Sequence, residues 1–320
     1  MTAVSIDPMR SIAGLKGALR YVRAYRDQVF VIKLGGEVLR QTAALESVVA
    51  QVALLSSLGV KVVVVHGGGP QVSELSQQLG LTPQIVAGRR VTCAQTLEVV
   101  KMVLGGQLNL SVLAALRSHR VPAIGLSGVD GELVTAHRRP KVTVVDDQGQ
   151  PTEVDFGWVG DIDAVDPRPL QALLAAGYVP VVASLAGDNE GQVYNINADT
   201  LAEQLAVALR AQKLIFLTSA PGVLRDRADP ATLVAFADPD DLASLLQSGA
   251  IAGGMRPKVE ACIRAATGGV ERTHIIDGRA ADALLFEVFT GAGCGTMIVG
   301  RKQKATYLGV DLADAASNRR

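Results

Sequence analysis

The sequence contains few aromatic residues, few cysteines and no excess of either charge. Phenylalanine, tryptophan and tyrosine make up only 4% of its 320 residues, and 31 lysines and arginines balance 31 aspartates and glutamates. A neutral chain of this kind gives no support to a nucleic-acid partner or an anionic membrane partner. No uninterrupted apolar run approaches the ~20 residues that a membrane-spanning helix needs.

The three cysteines, Cys93, Cys262 and Cys294, are too widely spaced for a metal-ligand motif or a disulfide framework. We therefore expect no metal site, and reduced thiols that pack as small buried hydrophobic side chains. Basic residues are spread along the N-terminal segment, which therefore lacks the continuous apolar core of a signal peptide. These absences predict a cytoplasmic protein.

Alanine, valine, leucine and glycine are prominent, as in parallel sheets that are covered by helices. Apolar runs typical of buried strands alternate with helical patterns along most of the chain. This alternation predicts an α/β fold: a three-layer αβα sandwich with an open, mostly parallel central sheet, plus an N-terminal helix. The predicted strands are 28–34, 60–65, 121–126, 178–182, 192–195, 213–218, 272–276 and 295–299. The predicted helices are 11–26, 41–58, 70–79, 95–118, 198–211, 239–248, 257–267 and 280–286.

The alternation breaks between residues 131 and 160. Three short segments there predict antiparallel strands: Leu133–Thr135, Val142–Val145 and Val154–Val159. Residues 1–10 are expected to be disordered, and any lobe boundary is expected at a crevice in a continuous sheet, near 185–200. The expected organisation is an N-terminal extension, an N-lobe and a C-lobe, at 1–26, 27–195 and 196–320.

Two glycine-rich turns each follow a predicted strand and lead into a helical pattern. The first contains Gly35 and Gly36, and the second is His66-Gly-Gly-Gly-Pro70, in which Pro70 suits the first helical position. Glycines let backbone N–H groups approach an anion closely, and a helix N-terminus adds a positive dipole. The pair predicts a phosphate between the turns, bound by Gly35, Gly36 and Gly67. Two tight turns without a ligand are the alternative.

Three familiar glycine signatures are excluded. The chain has no Gly-Lys dipeptide and therefore no Walker loop. Val72 stands where a dinucleotide fingerprint that starts at Gly67 needs its third glycine. The second turn does resemble the oxyanion turn of esterases, but Gly125-Leu-Ser-Gly-Val129 lacks the last glycine of the nucleophile elbow.

Two lysines and one aspartate are candidates for chemistry beside these turns. Lys33 closes the first strand, and Lys258 falls in the first turn of a helix that follows Gly253 and Gly254. A lysine in a helix first turn opposes the helix dipole, which suggests a compensating anion, held also by Gly254. Asp199 begins another helix, and we interpret it as the partner of both lysines. Solvated lysines and a simple N-terminal helix acid are the alternatives.

Two further side chains are candidates for binding an acceptor molecule. Arg90 could form a two-point clamp on a carboxylate, whereas its neighbour Arg89 is compatible with a solvated residue. Asn195 and Asn197 share one face of a short strand if that strand is regular. Asn195 is the stronger candidate for a ligand contact.

Five motifs occur in an order and spacing that resemble the amino acid kinase family. They are Lys33-Leu-Gly-Gly36, His66-Gly-Gly-Gly-Pro70, Gly88-Arg-Arg-Val-Thr92, Asn195-Ile-Asn-Ala-Asp199 and Gly253-Gly-Met-Arg-Pro-Lys258. Together they are highly specific, although each alone is weak. From about residue 27 to 300 the chain is similar to the members that phosphorylate N-acetylglutamate.

The resemblance implies an N-lobe that binds the acyl amino acid and a C-lobe that binds ATP. By motif, Lys33 and Lys258 would stabilise the transferring phosphoryl group, and Asp199 would organise them. The residues that would hold N-acetylglutamate are Gly68, Gly69, Arg90 and Asn195. Mg²⁺ would be bound mainly through the nucleotide phosphates, which agrees with the lack of an obvious carboxylate cluster in the sequence.

The implied reaction is ATP-dependent phosphorylation of the side-chain carboxylate of N-acetyl-L-glutamate, a step of arginine biosynthesis. A kinase of a related aminoadipate derivative and a non-catalytic amino-acid sensor are the alternatives. Too little chain follows residue 300 for an acetyltransferase domain. Two positions depart from the family pattern: Ser219 stands where an aspartate usually follows Leu-Thr, and Arg256 stands where an apolar residue is common.

The resemblance also implies regulation by arginine. Arginine-inhibited members have a similar N-terminal helix, and paired helices link three dimers into a hexamer, so we expect a homo-hexamer here. The apolar stripe of the helix could instead pack on its own core. The resemblance implies an arginine site at Tyr21, His274, Glu287 and the backbone near Gly293. Glu287 would be the charge partner of the ligand's cationic groups.

Overall fold

The computed structural model describes residues 17, 19–86, 88–145, 151–290 and 293–300. The expected disorder of residues 1–10 and the start of the predicted N-terminal helix, 11–16, lie outside this part of the chain. The helices are α1 (19–25), α2 (Gly36–Arg40), α3 (Thr42–Ser57), α4 (Gly69–Gln78), α5 (Ala94–Val100), α6 (Asn109–Ser118), α7 (Arg168–Ala175), α8 (Ala198–Ala208), α9 (Pro239–Gln247), α10 (Met255–Thr267) and α11 (Ala283–Phe289). The strands are β1 (Val29–Leu34), β2 (Lys61–His66), β3 (Ile85–Val86), β4 (Arg89–Arg90), β5 (Ala123–Ser127), β6 (Val134–Arg138), β7 (Val142–Val145), β8 (Pro151–Val154), β9 (Gly160–Val165), β10 (Val179–Ala183), β11 (Leu185–Gly187), β12 (Val193–Asn195), β13 (Lys213–Thr218), β14 (Phe236–Ala237), β15 (Arg272–Asp277) and β16 (Thr296–Val299).

Eight strands form one sheet in the order β14-β16-β15-β13-β1-β2-β10-β5. Neighbouring strands are parallel except at the β15–β16 pair, which is antiparallel. Strands from the first part of the chain occupy one half of the sheet, and strands from the last part occupy the other. Because β1 pairs with β13, the sheet is continuous across the two halves.

Both faces of this sheet are buried. On one face, Phe30 and Ile32 pack with α3, α5, α6 and α11; on the other, Val31 packs with α7, α8 and α10. Successive strand residues point to opposite faces, and all three of these side chains are fully buried. The predicted three-layer αβα sandwich is therefore confirmed.

A second sheet of four strands has the order β12-β11-β6-β9, and β7 pairs with β8 in a separate hairpin. The β6–β9 and β7–β8 pairs are antiparallel, so the predicted antiparallel excursion is present. The predicted strand Val154–Val159 is wrong, because β8 ends at Val154 and β9 begins at Gly160. Gly157 turns the chain between them with a φ of +70°, where a Cβ atom would lie 2.4 Å from the carbonyl oxygen of Thr92.

Some elements differ from the predicted set. The helices α2 and α7, the strand β11 and the β3–β4 hairpin have no predicted counterpart. Helix α11 lies three residues later than the predicted 280–286, because Asp282, with a φ of +55°, precedes it and prevents an earlier start. Helix α4 begins at Gly69, so Pro70 occupies its second position.

A π-helical segment, Lys101–Leu108, joins α5 and α6 into one helix of 25 residues, Ala94–Ser118. The predicted helix 95–118 is confirmed, but its wide central turns were not predicted. Length and composition alone would allow this helix to cross a membrane, yet half of its most apolar window is buried inside the fold. Val103 and Leu116 are fully buried, which is the burial pattern of a core helix.

Helix α1 packs on the body of the fold at its C-terminal end. Tyr25 is buried, contacts the ring of Phe30 edge-on at 5.2 Å between ring centroids, and its hydroxyl accepts a hydrogen bond from Arg272 at 3.0 Å. Tyr21 stacks on Tyr25 at 6.0 Å between ring centroids, whereas Leu19 is exposed. The described part of the stripe is therefore buried on its own core at one end and open at the other.

The three cysteines are free thiols in different surroundings. Cys262 is buried and Cys294 is partly buried, but Cys93 is exposed. Cys93 occupies the N-cap of α5, where its sulfur lies 3.2 Å from Oγ1 of Thr96. The prediction of a buried side chain is wrong for Cys93, because a helix N-cap at this surface leaves it open to solvent.

Candidate active site

The two glycine turns lie side by side at one edge of the main sheet. β1 and β2 are parallel neighbours with Leu34 beside His66, so both turns leave from the carboxyl ends of adjacent strands. The turns are in contact, since a Cβ atom at Gly36 would lie 2.7 Å from Cδ of Pro70. Ligands of open α/β sheets bind at such an edge.

Asp199 lies between the two candidate lysines. Its Oδ1 atom is 2.6 Å from Nζ of Lys33, and its Oδ2 atom is 3.1 Å from Nζ of Lys258. Lys33 and Asp199 are buried, whereas Lys258 is half-buried and also donates a hydrogen bond to the carbonyl of Gly254 at 3.2 Å. One carboxylate therefore holds two ammonium groups in place.

Burial and neighbouring charges shift the pKa values of Lys33 and Asp199. Burial lowers the pKa of Lys33, Asp199 opposes this effect, and the charge of Lys258 adds to it. Burial alone would raise the pKa of Asp199, but the two lysines outweigh burial and hold that pKa below its ordinary value. Asp199 is therefore ionised at neutral pH. With both lysines protonated, the three groups carry one net positive charge, which suits an anionic phosphoryl group.

Asn197 explains how Asp199 is placed. It is the N-cap of α8, and its Oδ1 atom accepts hydrogen bonds from the backbone N–H groups of Asp199 and Thr200 at 2.9 and 3.0 Å. Capping by Asn197 leaves the carboxylate of Asp199, in the first helical turn, free to face the lysines. Asp199 is thus an acidic residue in the first turn of α8, as the simpler alternative expected, and its carboxylate also contacts both lysines.

Two cavities meet at Lys33. One has a volume of about 350 Å³, the other has a volume of about 680 Å³, and Lys33 and Gly36 line both. The smaller cavity is also lined by Gly35, Thr218, Ser219, Gly254 and Lys258. The larger one is also lined by Gly67, Gly68, Gly69, Arg90, Asn195 and Asp199. Two molecules bound in these cavities would have their nearest atoms at Lys33.

Gly68 and Gly35, one from each glycine turn, are both closely packed against neighbouring residues. A Cβ atom at Gly68 would lie 2.2 Å from Leu108 Cδ1 and 2.7 Å from Leu104 Cδ2, so a larger residue there would displace these two leucine side chains. The N–H group of Gly35 donates to the carbonyl of Leu217 at 2.9 Å, and its hydrogen bond is thus made within the protein. Gly35 lines the smaller cavity and packs closely on β13, because a Cβ atom there would lie 2.9 Å from the same carbonyl.

Arg90 projects from β4 onto the second glycine turn. Its Nη2 atom donates to the carbonyl of Gly69 at 2.8 Å and to Oγ of Ser73. Its Nη1 atom is shielded from solvent and finds no hydrogen-bond partner among the described residues. A half-buried guanidinium with an unpaired donor beside a cavity can bind a carboxylate. Arg89 is exposed, in agreement with a solvated residue.

Asn195 ends β12 and lines the larger cavity. Its Nδ2 atom donates to Oγ1 of Thr92 at 3.1 Å. Asn197 uses its side chain for the helix cap, as described above. Both asparagines line the larger cavity, but the side-chain oxygen of Asn197 is used for the helix cap.

A hydrogen-bonded histidine holds the second turn, and sequence reasoning did not assign it this role. His66 is fully buried, and burial lowers its pKa to about 4. Its Nε2 atom accepts a hydrogen bond from Nδ2 of Asn109 at 3.1 Å, so Nδ1 carries the proton and donates to the carbonyl of Gly67 at 3.1 Å. The position of His66 in the motif was the available signal, but its partner Asn109 lies 43 residues away.

Ser219 and Arg256, which depart from the family pattern, each have defined contacts in the structure. Ser219 lines the smaller cavity, and its carbonyl accepts a hydrogen bond from Nη2 of Arg279 at 2.6 Å. Arg256 forms an ion pair with Glu260, at 2.9 Å between Nε and Oε1. Arg256 is therefore paired along its own helix and is not among the described residues that line either cavity.

The residues predicted to bind free arginine are connected by a series of side-chain contacts. His274 and Glu287 are buried and 2.7 Å apart between Nδ1 and Oε1. The Oε2 atom of Glu287 accepts hydrogen bonds from the N–H groups of Cys294 and Gly295 at 2.7 and 3.2 Å. Gly293 adjoins this carboxylate, since a Cβ atom there would lie 3.1 Å from Oε2.

Tyr21 reaches this cluster through intermediate side chains. It stacks on Tyr25, and the Nζ atom of Lys213 lies 5.2 Å from the ring centroid of Tyr25. The same Nζ atom is 3.0 Å from Nε2 of His274. Both carboxylate oxygens of Glu287 are thus engaged within the protein, and Tyr21 is placed one layer outside them.

The described residues contain no group of three or more histidine, cysteine, aspartate or glutamate side chains that could hold a metal ion.

Comparisons with known proteins show which family the chain resembles. A model of the amino acid kinase family matches residues 28–277. An acetylglutamate kinase of Myxococcus xanthus is 48% identical over 299 residues, which cover 92% of this chain and 96% of that protein. One of Moorella thermoacetica is 42% identical over 296 residues, which cover 92% and 99%.

A solved structure is also similar. The N-acetylglutamate synthase of Neisseria gonorrhoeae, in complex with coenzyme A and N-acetyl-glutamate, is 29% identical with a TM-score of 0.76. The match covers 90% of this chain and 63% of that one, so the chain spans less than two thirds of the synthase. Because the family model covers most of the chain and includes the glycine turns, the aspartate and both lysines, the chain belongs to the amino acid kinase family.

Proposed function

We propose that this protein phosphorylates the side-chain carboxylate of N-acetyl-L-glutamate with ATP, giving N-acetyl-L-glutamyl 5-phosphate and ADP in arginine biosynthesis. The observation that carries the proposal is the position of Lys33, Asp199 and Lys258 where two cavities meet. The acetylglutamate kinases that resemble this chain over nearly its whole length support the choice of acceptor.

The acceptor would occupy the larger cavity. Arg90 offers an unpaired guanidinium donor for a carboxylate of the acceptor, and Asn195 lies in the same cavity wall. The second glycine turn, fixed by His66, would bring backbone N–H groups towards the acceptor's reacting end. A carboxylate is already a nucleophile at neutral pH, so the reaction requires no general base.

ATP would occupy the smaller cavity, with its phosphates towards Gly36 and Gly254. When bound, ATP would supply the phosphoryl group, and Mg²⁺ held by its phosphates would neutralise part of their charge. Lys33 and Lys258 would neutralise the transferring oxygens, and Asp199 would hold both ammonium groups in place. Catalysis would thus depend on positioning and on charge.

We also propose that arginine inhibits the enzyme and that the assembly is a hexamer built as a trimer of dimers. The support is the contact chain from Tyr21 to Glu287 and the exposed Leu19 on α1, together with the resemblance to arginine-inhibited members. Arginine would shift the balance between two arrangements of the lobes. Because Glu287 is engaged with His274 and backbone N–H groups, arginine would have to replace or share those contacts.

The experiment is ADP release with ATP and each of three acceptors: N-acetylglutamate, glutamate and N-acetylaminoadipate. The proposal expects the highest kcat/KM with N-acetylglutamate. A preference for N-acetylaminoadipate would identify the aminoadipate alternative, and no acceptor-dependent release would favour a sensor. Repeating each assay with millimolar arginine tests the regulatory part independently.

A further inference from the structure

The two glycine turns are tied together by a side chain that lines neither cavity. Nε2 of Gln71, in the first turn of α4, donates a hydrogen bond to the carbonyl of Gly36 at 3.0 Å, across 35 residues of sequence. This bond connects α4, which follows the acceptor-side turn, to α2, which follows the nucleotide-side turn. Gly36 in turn lines both cavities.

The other end of the same amide is unusual. The Oε1 atom of Gln71 is sealed from solvent and has no hydrogen-bond partner among the described residues. It points between the turns, because it would lie 3.4 Å from a Cβ atom at Gly36 and 3.7 Å from one at Gly68. An unpaired buried acceptor is destabilising. Gln71 thus keeps a buried amide whose donor is used and whose acceptor is not.

A second link between the same helices differs in kind. Arg40 of α2 and Glu74 of α4 form an ion pair at 2.7 Å, but nearly half of each side chain is exposed. Exposed ion pairs contribute little to the free energy of unfolding and fix geometry weakly. Beyond the pairing of β1 with β2 and the contact between Gly36 and Pro70, the Gln71–Gly36 bond is therefore the side-chain link best suited to set the alignment of the two turns.

We propose that Gln71 is a positioning residue that sets the distance between the donor phosphate and the acceptor carboxylate. It acts through Gly36 and touches neither substrate. The inference depends on the proposed function, since it concerns the alignment of two substrates in one transfer. It predicts that each substrate binds normally without Gln71 but that the transfer itself slows.

The test compares Gln71→Met with the wild-type enzyme. Methionine has a similar length and removes the amide, so the bond to Gly36 is lost with little change of volume. We expect kcat to fall by ~10- to 100-fold, as a misalignment of about 1 Å would cause. The KM values and the dissociation constants of N-acetylglutamate alone and of a non-hydrolysable ATP analogue alone should change less than ~2-fold.

Two variants serve as matched controls. Glu74→Gln breaks the exposed link between the same helices, and Gln78→Met makes the same chemical change at an exposed position of α4. Both should retain the wild-type kcat within ~2-fold. Gln71→Glu is the second test variant: its carboxylate cannot donate to Gly36 when ionised, and its kcat should fall further than that of Gln71→Met.

The outcomes separate the inference from the proposed function. A wild-type protein that does not phosphorylate N-acetylglutamate would contradict the proposed function. An active wild-type protein whose Gln71→Met variant keeps its kcat would overturn the role of Gln71. A melting temperature that falls together with both binding affinities would also overturn it, because that pattern belongs to a merely structural residue.

Discussion

The Nζ atom of Lys33 lies 2.6 Å from Oδ1 of Asp199, and the exposed fractions of the two side chains are 8% and 6%. A buried charge that loses its partner is strongly destabilised, so each of these groups depends on the other. Lys258 shares the carboxylate from its other side. The function of the site therefore rests on three charges that must be retained together.

Removal of these charges should slow the transfer step. Lys33→Ala, Lys258→Ala and Asp199→Asn should each lower kcat by at least ~10²-fold, because the charges are needed most where the phosphoryl oxygens gain charge. Steady-state kinetics gives the measurement, and Lys101→Ala, a lysine outside both cavities, is the control. Near wild-type turnover in any of the three would rule out the assigned mechanism.

Binding of the acceptor should depend on the planar shape of the Arg90 guanidinium. Arg90→Lys keeps the positive charge but loses the planar donor pair, so we expect the KM for N-acetylglutamate to rise by ~10-fold. The KM for ATP should stay nearly unchanged. Arg117→Lys, at an exposed arginine that lines neither cavity, should behave like the wild type. An equal rise of both KM values would place Arg90 outside the acceptor site.

The second glycine turn offers a paired comparison. At Gly68 a Cβ atom would collide with Leu104 and Leu108, whereas at Gly69 nothing lies within 4 Å of one. Gly68→Ala should lower the free energy of unfolding by ~1–3 kcal/mol and raise the acceptor KM, and Gly69→Ala should be tolerated for stability. Denaturant unfolding of both variants measures this; equal stability would contradict the close packing of the turn.

The stability of the fold should fall in acid because of His66. Burial lowers the pKa of His66 to about 4, from an ordinary value of 6.5. Between pH 6.5 and pH 4 the unfolded chain takes up a proton that the folded chain does not, so the unfolding free energy falls as the pH is lowered. The full effect is roughly 3 kcal/mol. Urea unfolding at pH 7 and pH 5 should show a smaller difference for His66→Gln than for the wild type.

The regulatory proposal can be tested without disturbing the core. Tyr25 is buried and hydrogen-bonded to Arg272, so a deletion should stop before it. Deletion of residues 1–20 should give active dimers, by mass, that no longer respond to arginine, and Tyr21→Ala should weaken inhibition at unchanged kcat. A full-length enzyme that is dimeric and indifferent to millimolar arginine would refute the proposal and leave the kinase activity untouched.

Much of the fold could be predicted from local pattern. Strand 213–218 was predicted with the bounds that β13 has, because both of its faces are buried and its apolar run is continuous. The strand predicted at Val154–Val159 was wrong, because Gly157 approaches the backbone of Thr92, a contact across 65 positions that no local pattern contains. Short elements such as β11 depend on their partners in the same way.

Within the site, too, residues in local motifs could be predicted, whereas roles that depend on distant contacts could not. Lys33, Asp199 and Lys258 belong to recognisable motifs, and their motifs indicated that they would meet. The roles of Asn109 and Gln71 could not be predicted, because each depends on a hydrogen bond to a residue 35 or more positions away. The π-helical segment of the long helix was also missed, since its apolar pattern is that of an ordinary helix.

The central claim is that the terminal phosphoryl group of ATP is transferred to the side-chain carboxylate of N-acetylglutamate. Trapping the product with hydroxylamine tests it most directly, because an acyl phosphate is converted to a stable hydroxamate that can be quantified beside ADP. The account predicts one hydroxamate for each ADP with the wild-type enzyme, and ~10²-fold less of both products at equal times with Lys33→Ala. Release of ADP by the wild-type enzyme without formation of N-acetylglutamyl hydroxamate would contradict the account.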